Sequence, residues 1–159
     1  MLWRPALLMR ADSQITRTIE LLGGPDVIEA APATELDLHD ILCRRLPAKA
    51  AATLVSNLKI LPVEEPIVLE KVLGVSLDLL RRQSIPSSKR LDVARSWKVW
   101  EFARAIAKAE CKFGILQRAE TWLRSPSMGS RRPLDLMLTP VGAEMVQREL
   151  TELIGRRHP

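Results

Sequence analysis

The residues of this 159-residue chain that could support catalysis or metal binding are few and widely separated. Cys43 and Cys111 lack the short spacing of a metal-binding pair, and His39 and His158 are too far apart in sequence to suggest a shared site. Gly23-Gly24 is typical of a helix stop and does not have the pattern of a phosphate-binding loop. The sequence therefore predicts no catalytic residue, metal or cofactor, so we expect a protein that is not an enzyme, with both cysteines reduced and semi-buried.

The clearest chemical signal is cationic and concerns phosphate binding. The chain has a formal net charge of +5 and an isoelectric point near 9.7. Residues 1–60 contain seven basic and seven acidic residues, whereas residues 81–98 contain six basic residues against Asp92 alone, a net of +5. This cluster favours contact with phosphates, and a solvated helix face is the alternative.

Composition indicates the elements that must position these side chains. The chain is 47% hydrophobic and only 4% aromatic, and it is rich in Ala and Leu, which favours an all-α fold with a real core. The apolar N-terminal stretch, residues 6–9, is too short for a signal peptide, and no segment could span a membrane, so we expect a cytoplasmic protein. We divide the chain into an N-terminal arm (1–35), a second region (36–86) and a third (87–159).

Apolar spacing and breaker residues predict the helices of the first half. A helix capped by Asp12 or Ser13 ends at Gly23-Gly24-Pro25 within a partly ordered lead-in. An amphipathic segment around Leu38 closes before Pro47, and a helix follows over residues 47–58. The next helix runs from 63 to 73 with its apolar side chains facing inward: Ile67, Val68, Val72 and Leu73.

A glycine break separates that helix from a short one, which is the layout of a helix-turn-helix. Gly74 ends the first helix, Ser76 caps the second, and the second ends at Arg81-Arg82. In such a motif the second helix enters the major groove of DNA. The predicted DNA-binding residues are Ser76, Arg81, Arg82, Lys89 and Arg90.

A long helix over residues 89–112, capped at Ser87 or Ser88, follows the linker. Its apolar stripe consists of Val99, Phe102, Ala103, Ile106, Ala109 and Phe113. Two tryptophans flank this stripe, which gives the helix more apolar surface than one small core requires. We therefore predict a homodimer interface at Trp97, Trp100 and Phe102.

The C-terminal stretch links several helix stops and starts. Ser125-Pro126 ends one helix, Pro133 opens the apolar unit P-L-D-L, and Thr139 caps a last helix whose first residue is Pro140. The order W-L-x-x-P, glycine loop, P-L-D-L and T-x-x-G-A-x-x-V resembles the toxin-binding domain of the Xre/MbcA/ParS family of antitoxins. The segment V-L-G-V-S-L-D-L-L-R-R is also similar to the family's helix-turn-helix segment.

This resemblance implies an Xre-like helix-turn-helix in residues 36–86 and a helical toxin-binding and dimerisation domain in residues 87–159. It also implies a partner, a RES-domain toxin that consumes NAD⁺ and whose active-site cleft the antitoxin occludes, and repression of the antitoxin's own operon through operator DNA. Asp135 is expected to hydrogen-bond backbone near Pro133. The expected toxin-binding residues are Pro133, Leu134, Asp135, Leu136, Gly142, Val146, Leu150, Ile154, Arg156 and Arg157.

Two rival functions remain open at this point. One is a stand-alone dimeric helix-turn-helix transcriptional regulator, and the other is an accessory subunit of an enzyme. The antitoxin hypothesis predicts that neutralisation resides in residues from about 91 to the end and survives deletion of everything before Pro62. It also places an apolar edge at Val146, Leu150 and Ile154, followed by a cationic tail.

Overall fold

The computed structural model describes residues 14–29, 31–82 and 85–156, and within these ranges the chain is helical with only isolated β-bridges. The all-α prediction is confirmed. The helices are α1 (residues 14–21), a 3₁₀ turn (Gly24–Asp26), α2 (Glu35–Cys43), α3 (Ala48–Asn57), α4 (Leu61–Glu64), α5 (Pro66–Leu73), α6 (Leu77–Leu80), α7 (Val93–Phe113), α8 (Leu116–Leu123), α9 (Pro133–Leu136) and α10 (Pro140–Gly155).

Helix α7 lies at the centre of the molecule and packs against α2, α5, α8 and α10. The predicted apolar stripe of this helix is confirmed, because Val99, Phe102 and Ile106 are fully buried. Buried residues from both sides of the loop after α6 belong to one cluster, so the predicted boundary at residues 86–87 lies in a loop whose two flanks share a core.

The N-terminal helix is fixed to this core. Leu21 and Leu22 are fully buried, and the Leu21 carbonyl accepts a hydrogen bond of 3.1 Å from the Asn57 side chain. The guanidinium of Arg17 donates two hydrogen bonds to the Glu110 carboxylate on α7, of 2.6 and 3.0 Å. The predicted stop after α1 is confirmed; the predicted capping residues Asp12 and Ser13 lie outside the described residues.

The predicted helix over residues 63–73 is two helices. Pro66 opens α5, and the residue before it, Glu65, has φ −134° and ψ 46°, outside the helical region, because proline disfavours the α conformation in its predecessor. On α5, Ile67 is 68% exposed, and Leu69 is buried instead. The inward orientation of Ile67 was therefore a wrong prediction.

The long central helix starts later than predicted. Its N-cap is Asp92, whose carboxylate accepts a 2.7 Å hydrogen bond from the Arg95 backbone N–H, and neither Ser87 nor Ser88 caps it. Its last residue is Phe113, one residue beyond the predicted end at residue 112. Residues 85–92 therefore lie outside the helix, and residues 89–91 pair with an earlier segment of the chain, as described below.

A buried carboxylate joins the two halves of the chain. Glu120 of α8 is fully buried and accepts hydrogen bonds of 2.9–3.0 Å from the backbone N–H groups of Lys59, Ile60 and Leu61. These N–H groups belong to the start of α4, where a helix leaves its first donors unpaired.

The C-terminal unit has the predicted starts and stops. Pro133 and Pro140 occupy the first turns of α9 and α10, and the Thr139 hydroxyl accepts a 3.0 Å hydrogen bond from the Gly142 backbone N–H. A Cβ atom at Gly142 would overlap the Leu136 carbonyl oxygen. Glycine therefore permits the close packing of α10 on α9.

The described residues contain no helix that is both long enough and apolar enough to cross a membrane. Cys43 and Cys111 are exposed, so the prediction that they are semi-buried is wrong.

Candidate partner-binding surfaces

The region predicted as a helix-turn-helix has a glycine turn, but its second helix is one turn long. Gly74 ends α5 with a left-handed φ of 73°, and α6 spans Leu77–Leu80. The Ser76 side chain, predicted to cap α6, makes no capping hydrogen bond; Glu70 accepts the Leu77 N–H at 2.9 Å instead. A carboxylate at this N-terminus occupies the position where a phosphate would be attracted.

The predicted DNA-binding arginines and lysine do not form one group around α6. Arg81 directs a guanidinium nitrogen to the Pro62 carbonyl at 3.4 Å, towards α4. Arg82 and Lys89 line one small cavity beside α3 and α6. Arg90 donates a 2.8 Å hydrogen bond to the Arg45 carbonyl. Arg82 and Lys89 therefore share one cavity, Arg90 contacts the loop after α2, and Arg81 is directed towards α4.

A pairing between two loops adds two arginines that the sequence reasoning missed. The loop after α2 and the segment before α7 form an antiparallel bridge between Pro47 and Arg90, with backbone hydrogen bonds of 2.9 Å from Ala48 to Lys89 and from Leu91 to Leu46. This pairing places Arg44, Arg45 and Arg90 around one small cavity. Arg82 and Lys89 line the other cavity, and the consecutive residues Lys89 and Arg90 connect the two cavities along the chain. We call Arg44, Arg45, Arg82, Lys89 and Arg90, the cations of these two neighbouring cavities, the basic surface.

Most of the apolar residues predicted to bind a toxin are structural. Pro133, Leu134, Gly142, Val146 and Leu150 are buried within the chain. The proposed apolar edge at Val146 and Leu150 is therefore wrong, because both side chains are fully buried in the core. Leu136 is partly buried against the same core.

The exposed apolar side chains of this unit are others. Leu138 is 42% exposed, Val141 72% and Met145 41%. Val141 and Met145 lie four residues apart on α10 and so share one face, and Leu138 lies just before the helix. We call these three residues the apolar strip.

Asp135 is exposed and belongs to an ion-pair network. Arg132 donates hydrogen bonds of 2.8 and 3.0 Å to the two oxygens of Asp135 and one of 2.9 Å to Glu65. Arg124 also donates to Glu65, at 3.2 Å. Asp135 was expected to bind backbone near Pro133, but its carboxylate meets the Arg132 side chain instead. The network fastens α9 to the junction of α4 and α5.

Hydrogen bonding in this network shifts the titration of its members. The bonds from Arg132 lower the pKa of Glu65, and bonds from Arg124 add to the effect against the opposing cost of burial. The hydrogen bonds from Arg132 also lower the pKa of Asp135. Hydrogen bonds to Asp135 and then to Glu65 raise the pKa of Arg132. All three groups are therefore charged at neutral pH.

The tail carries the last predicted toxin contacts. Ile154 is partly buried and Arg156 is exposed, with a 3.5 Å ion pair to Glu152 one turn earlier. Arg157 lies outside the described residues. Only Ile154 and Arg156 can therefore be placed, and both lie at the end of α10.

The tryptophan region predicted to form a dimer is largely internal. Trp100 is 2% exposed and Phe102 is fully buried within the chain, whereas Trp97 is partly exposed. The proposed surplus of exposed apolar surface on this helix is therefore absent at Trp100 and Phe102. Only Trp97 of the three could contact a second chain without rearrangement.

Helices α7 and α10 enclose a polar cluster that sequence reasoning also missed. Lys108 is buried and donates a 3.0 Å hydrogen bond to the Thr151 hydroxyl, and Gln147 donates to the backbone and side-chain oxygens of Glu101 at 3.0 and 3.1 Å. Burial, together with the nearby charge of Arg104, lowers the pKa of Lys108 to about 8. The cluster fixes α10 on α7 through polar contacts as well as apolar ones.

Comparison with known proteins adds no relative to these observations. No protein-family model matches the sequence, and no curated protein matches it significantly.

Proposed function

We propose that this chain is an antitoxin of a type II toxin–antitoxin pair that binds and neutralises a RES-domain toxin. The observation that carries the proposal is the apolar strip on α10, presented by the same unit whose sequence resembles the Xre/MbcA/ParS toxin-binding domain. Exposed apolar groups that cluster on a rigid element are typical of protein–protein contacts.

The structure supports a distinction between the buried residues of the C-terminal motif and the exposed side chains of the same unit. Its buried members, among them Leu123, Leu134 and Val146, form the interior of the α8–α10 unit. Pro133 and Pro140 set the helix starts, and Gly142 allows α9 and α10 to pack closely. The motif residues therefore maintain a rigid scaffold, and the exposed side chains on that scaffold are the ones that we expect to contact the toxin.

The test is a charge introduced into the apolar strip. Val141→Arg should keep the fold, because Val141 is 72% exposed, and should abolish binding to a co-expressed RES-domain toxin. Val63→Arg is a matched control, because Val63 is also 72% exposed but lies on α4. Binding is measured by calorimetry, and neutralisation by growth of cells that express the toxin.

Equal toxin binding by Val141→Arg and the unaltered chain would contradict the role of the strip. Failure of the unaltered, folded chain to bind a RES-domain toxin encoded beside its gene would overturn the antitoxin assignment itself.

Repression of the chain's own operon and homodimer formation are the further parts of this proposal. The basic surface favours a DNA-binding component, and the same observation supports the alternative of a stand-alone transcriptional regulator. Sedimentation of the purified chain at micromolar concentration tests the dimer, since a monomer both alone and with toxin would contradict it. If the unaltered chain binds operator DNA but no toxin, the stand-alone transcriptional regulator is favoured.

A further inference from the structure

We infer that the basic surface binds the phosphate backbone of duplex nucleic acid without reading its sequence, as a site separate from α6. This inference deepens the DNA-binding component of the proposed function. It rests on the positions and contacts of five cationic residues from three segments: Arg44, Arg45, Arg82, Lys89 and Arg90.

The first argument is charge that is not neutralised. None of these five cations forms a salt bridge with any residue in the described ranges. By contrast, Arg17, Arg95 and Arg132 each pair with a carboxylate within 3.0 Å. The one carboxylate that lines the cavity with Arg44, Arg45 and Arg90 is Glu29. The surface therefore keeps a strong excess of positive charge.

The second argument is rigidity, which reduces the entropy lost on binding. The buried hydroxyl of Ser96 on α7 accepts a 2.8 Å hydrogen bond from the Leu46 N–H, and the Leu46 carbonyl accepts the Leu91 N–H at 2.9 Å. Arg45 has a φ of 69°, a left-handed conformation that is rare for a residue with a long side chain. The Arg90 side chain secures this turn by donating to the Arg45 carbonyl.

The third argument concerns the class of anion. All five side chains are exposed, and four of them are arginines, whose guanidinium groups match the geometry of phosphate oxygens. No tryptophan, tyrosine or phenylalanine lines either small cavity of the basic surface, so there is no stacking platform for single-stranded bases. This combination favours the regular phosphates of a duplex over a single strand. A membrane surface is also a polyanion, so the test must distinguish binding to a duplex from binding to a membrane.

The separation from α6 follows from the contacts at that helix. Its N-terminal N–H at Leu77 is occupied by the Glu70 carboxylate, and Arg81 is directed to the Pro62 carbonyl. Neither group adds to the basic surface. Duplex binding should therefore depend on Arg44 and Arg45 and be independent of Ser76.

The experiment compares two triple variants of the full chain with the unaltered chain. Arg44→Gln, Arg45→Asn and Lys89→Gln together remove three charges from the basic surface; Asn tolerates the left-handed conformation at residue 45. Arg90 is retained because its side chain supports the turn. The control removes three exposed charges elsewhere, by Lys59→Gln, Arg118→Gln and Arg148→Gln.

Fluorescence anisotropy measures binding to a random-sequence 20-base-pair duplex and to an oligothymidylate of equal length. Co-sedimentation measures binding to phosphatidylserine vesicles. The unaltered chain and the control should bind the duplex, and the basic-surface variant should reduce the log–log salt slope by about 2.7, at roughly 0.9 per phosphate contact. Ser76→Ala should leave this slope unchanged.

Duplex binding by the basic-surface variant that equals that of the control would overturn the inference, as would a preference of the unaltered chain for vesicles or oligothymidylate. Circular dichroism of each variant excludes unfolding as the cause of a loss. The same variant should still bind toxin. Loss of toxin binding by Val141→Arg together with intact duplex binding would separate the two sites, whereas a chain that binds duplex but no toxin would refute only the antitoxin function.

Discussion

At the scale of single residues, a buried carboxylate on α8 holds the start of α4 in place. Glu120 accepts three backbone hydrogen bonds from residues 59–61 although it lies more than 50 positions away in sequence. A buried acceptor of this kind stabilises only while its donors remain paired with it, since an unpaired buried N–H is costly. The residue thus has a structural role that its surroundings in the sequence do not indicate.

We expect Glu120→Ala to lower the free energy of unfolding by about 3 kcal/mol, because it leaves the α4 donors unpaired and creates a cavity. The control is Glu144→Ala, an exposed site on α10, which should change stability by less than about 0.5 kcal/mol. Urea denaturation followed by circular dichroism measures both. Equal stabilities of the two variants would contradict the role of Glu120.

Gly142 and Gly155 lie on the same helix, but substitution by alanine should change the stability of the fold differently at the two positions. At Gly142 the new methyl group would meet the Leu136 carbonyl, so α9 and α10 must separate and stability should fall by about 1–3 kcal/mol. At Gly155 no atom lies within 4 Å of the added group, and alanine should be neutral or stabilise by up to about 1 kcal/mol. Thermal unfolding distinguishes the two, and a loss at Gly155 as large as that at Gly142 would count against the packing argument.

At the scale of elements, α9 is only four residues long and depends on its neighbours for its position. The ion pairs of Arg132 with Asp135 and with Glu65 connect α9 to the α4–α5 junction. Folding lowers the pKa of both carboxylates below their ordinary values of 4.5 and 3.8. Their contribution to stability is therefore complete above the ordinary pKa values and is lost as the pH falls through the lowered ones.

Arg132→Gln should consequently lower the free energy of unfolding by about 1 kcal/mol at pH 7, because these pairs are partly exposed and screened by solvent. The difference from the unaltered chain should persist down to about pH 5 and close as the pH falls below about 4. Arg131→Gln, an exposed neighbour that forms no salt bridge among the described residues, is the control. Urea denaturation across this pH range measures the difference in free energy of unfolding between Arg132→Gln and the unaltered chain. A difference that stays constant with pH would exclude the ion pairs as its cause.

At the scale of the whole molecule, the two predicted regions share one core. Helix α7 packs on α5 as well as on α10, and Glu120 requires the backbone of residues 59–61 for its hydrogen bonds. The same cluster includes Leu54 and Leu58, which precede Pro62. This shared core argues against the prediction that neutralisation survives deletion of everything before Pro62.

We now expect a fragment of residues 62–159 to lack a cooperative unfolding transition, because small domains lose stability steeply as buried area is removed. Circular dichroism with thermal and urea denaturation tests this, with a chain that begins at residue 14 as the control that retains α1. A fragment of residues 62–159 that unfolds cooperatively and binds toxin would restore the two-region interpretation.

The sequence by itself determined many of the helix limits at which a local cause acts. The Gly23 stop, the Gly74 turn, the Thr139 cap and the two proline starts at 133 and 140 depend on residues within one turn of each other, so they could be identified without tertiary information. The all-α class followed from composition for the same reason. Three limits were mispredicted. Helix α7 starts at Asp92 although two serines nearby offered equally plausible caps, Pro66 opens a helix of its own, and Ser76 makes no capping hydrogen bond.

Only the tertiary structure decided which residues are exposed and which charges meet. Val146 and Val141 have the same apolar character, yet one is fully buried and the other is 72% exposed, because burial depends on where α7 and α9 pack against α10. Likewise, Arg45 and Arg90 are adjacent because two loops pair across 45 residues of chain. Contacts of this kind arise from the packing of distant segments, and that information is not present in any local stretch of the sequence.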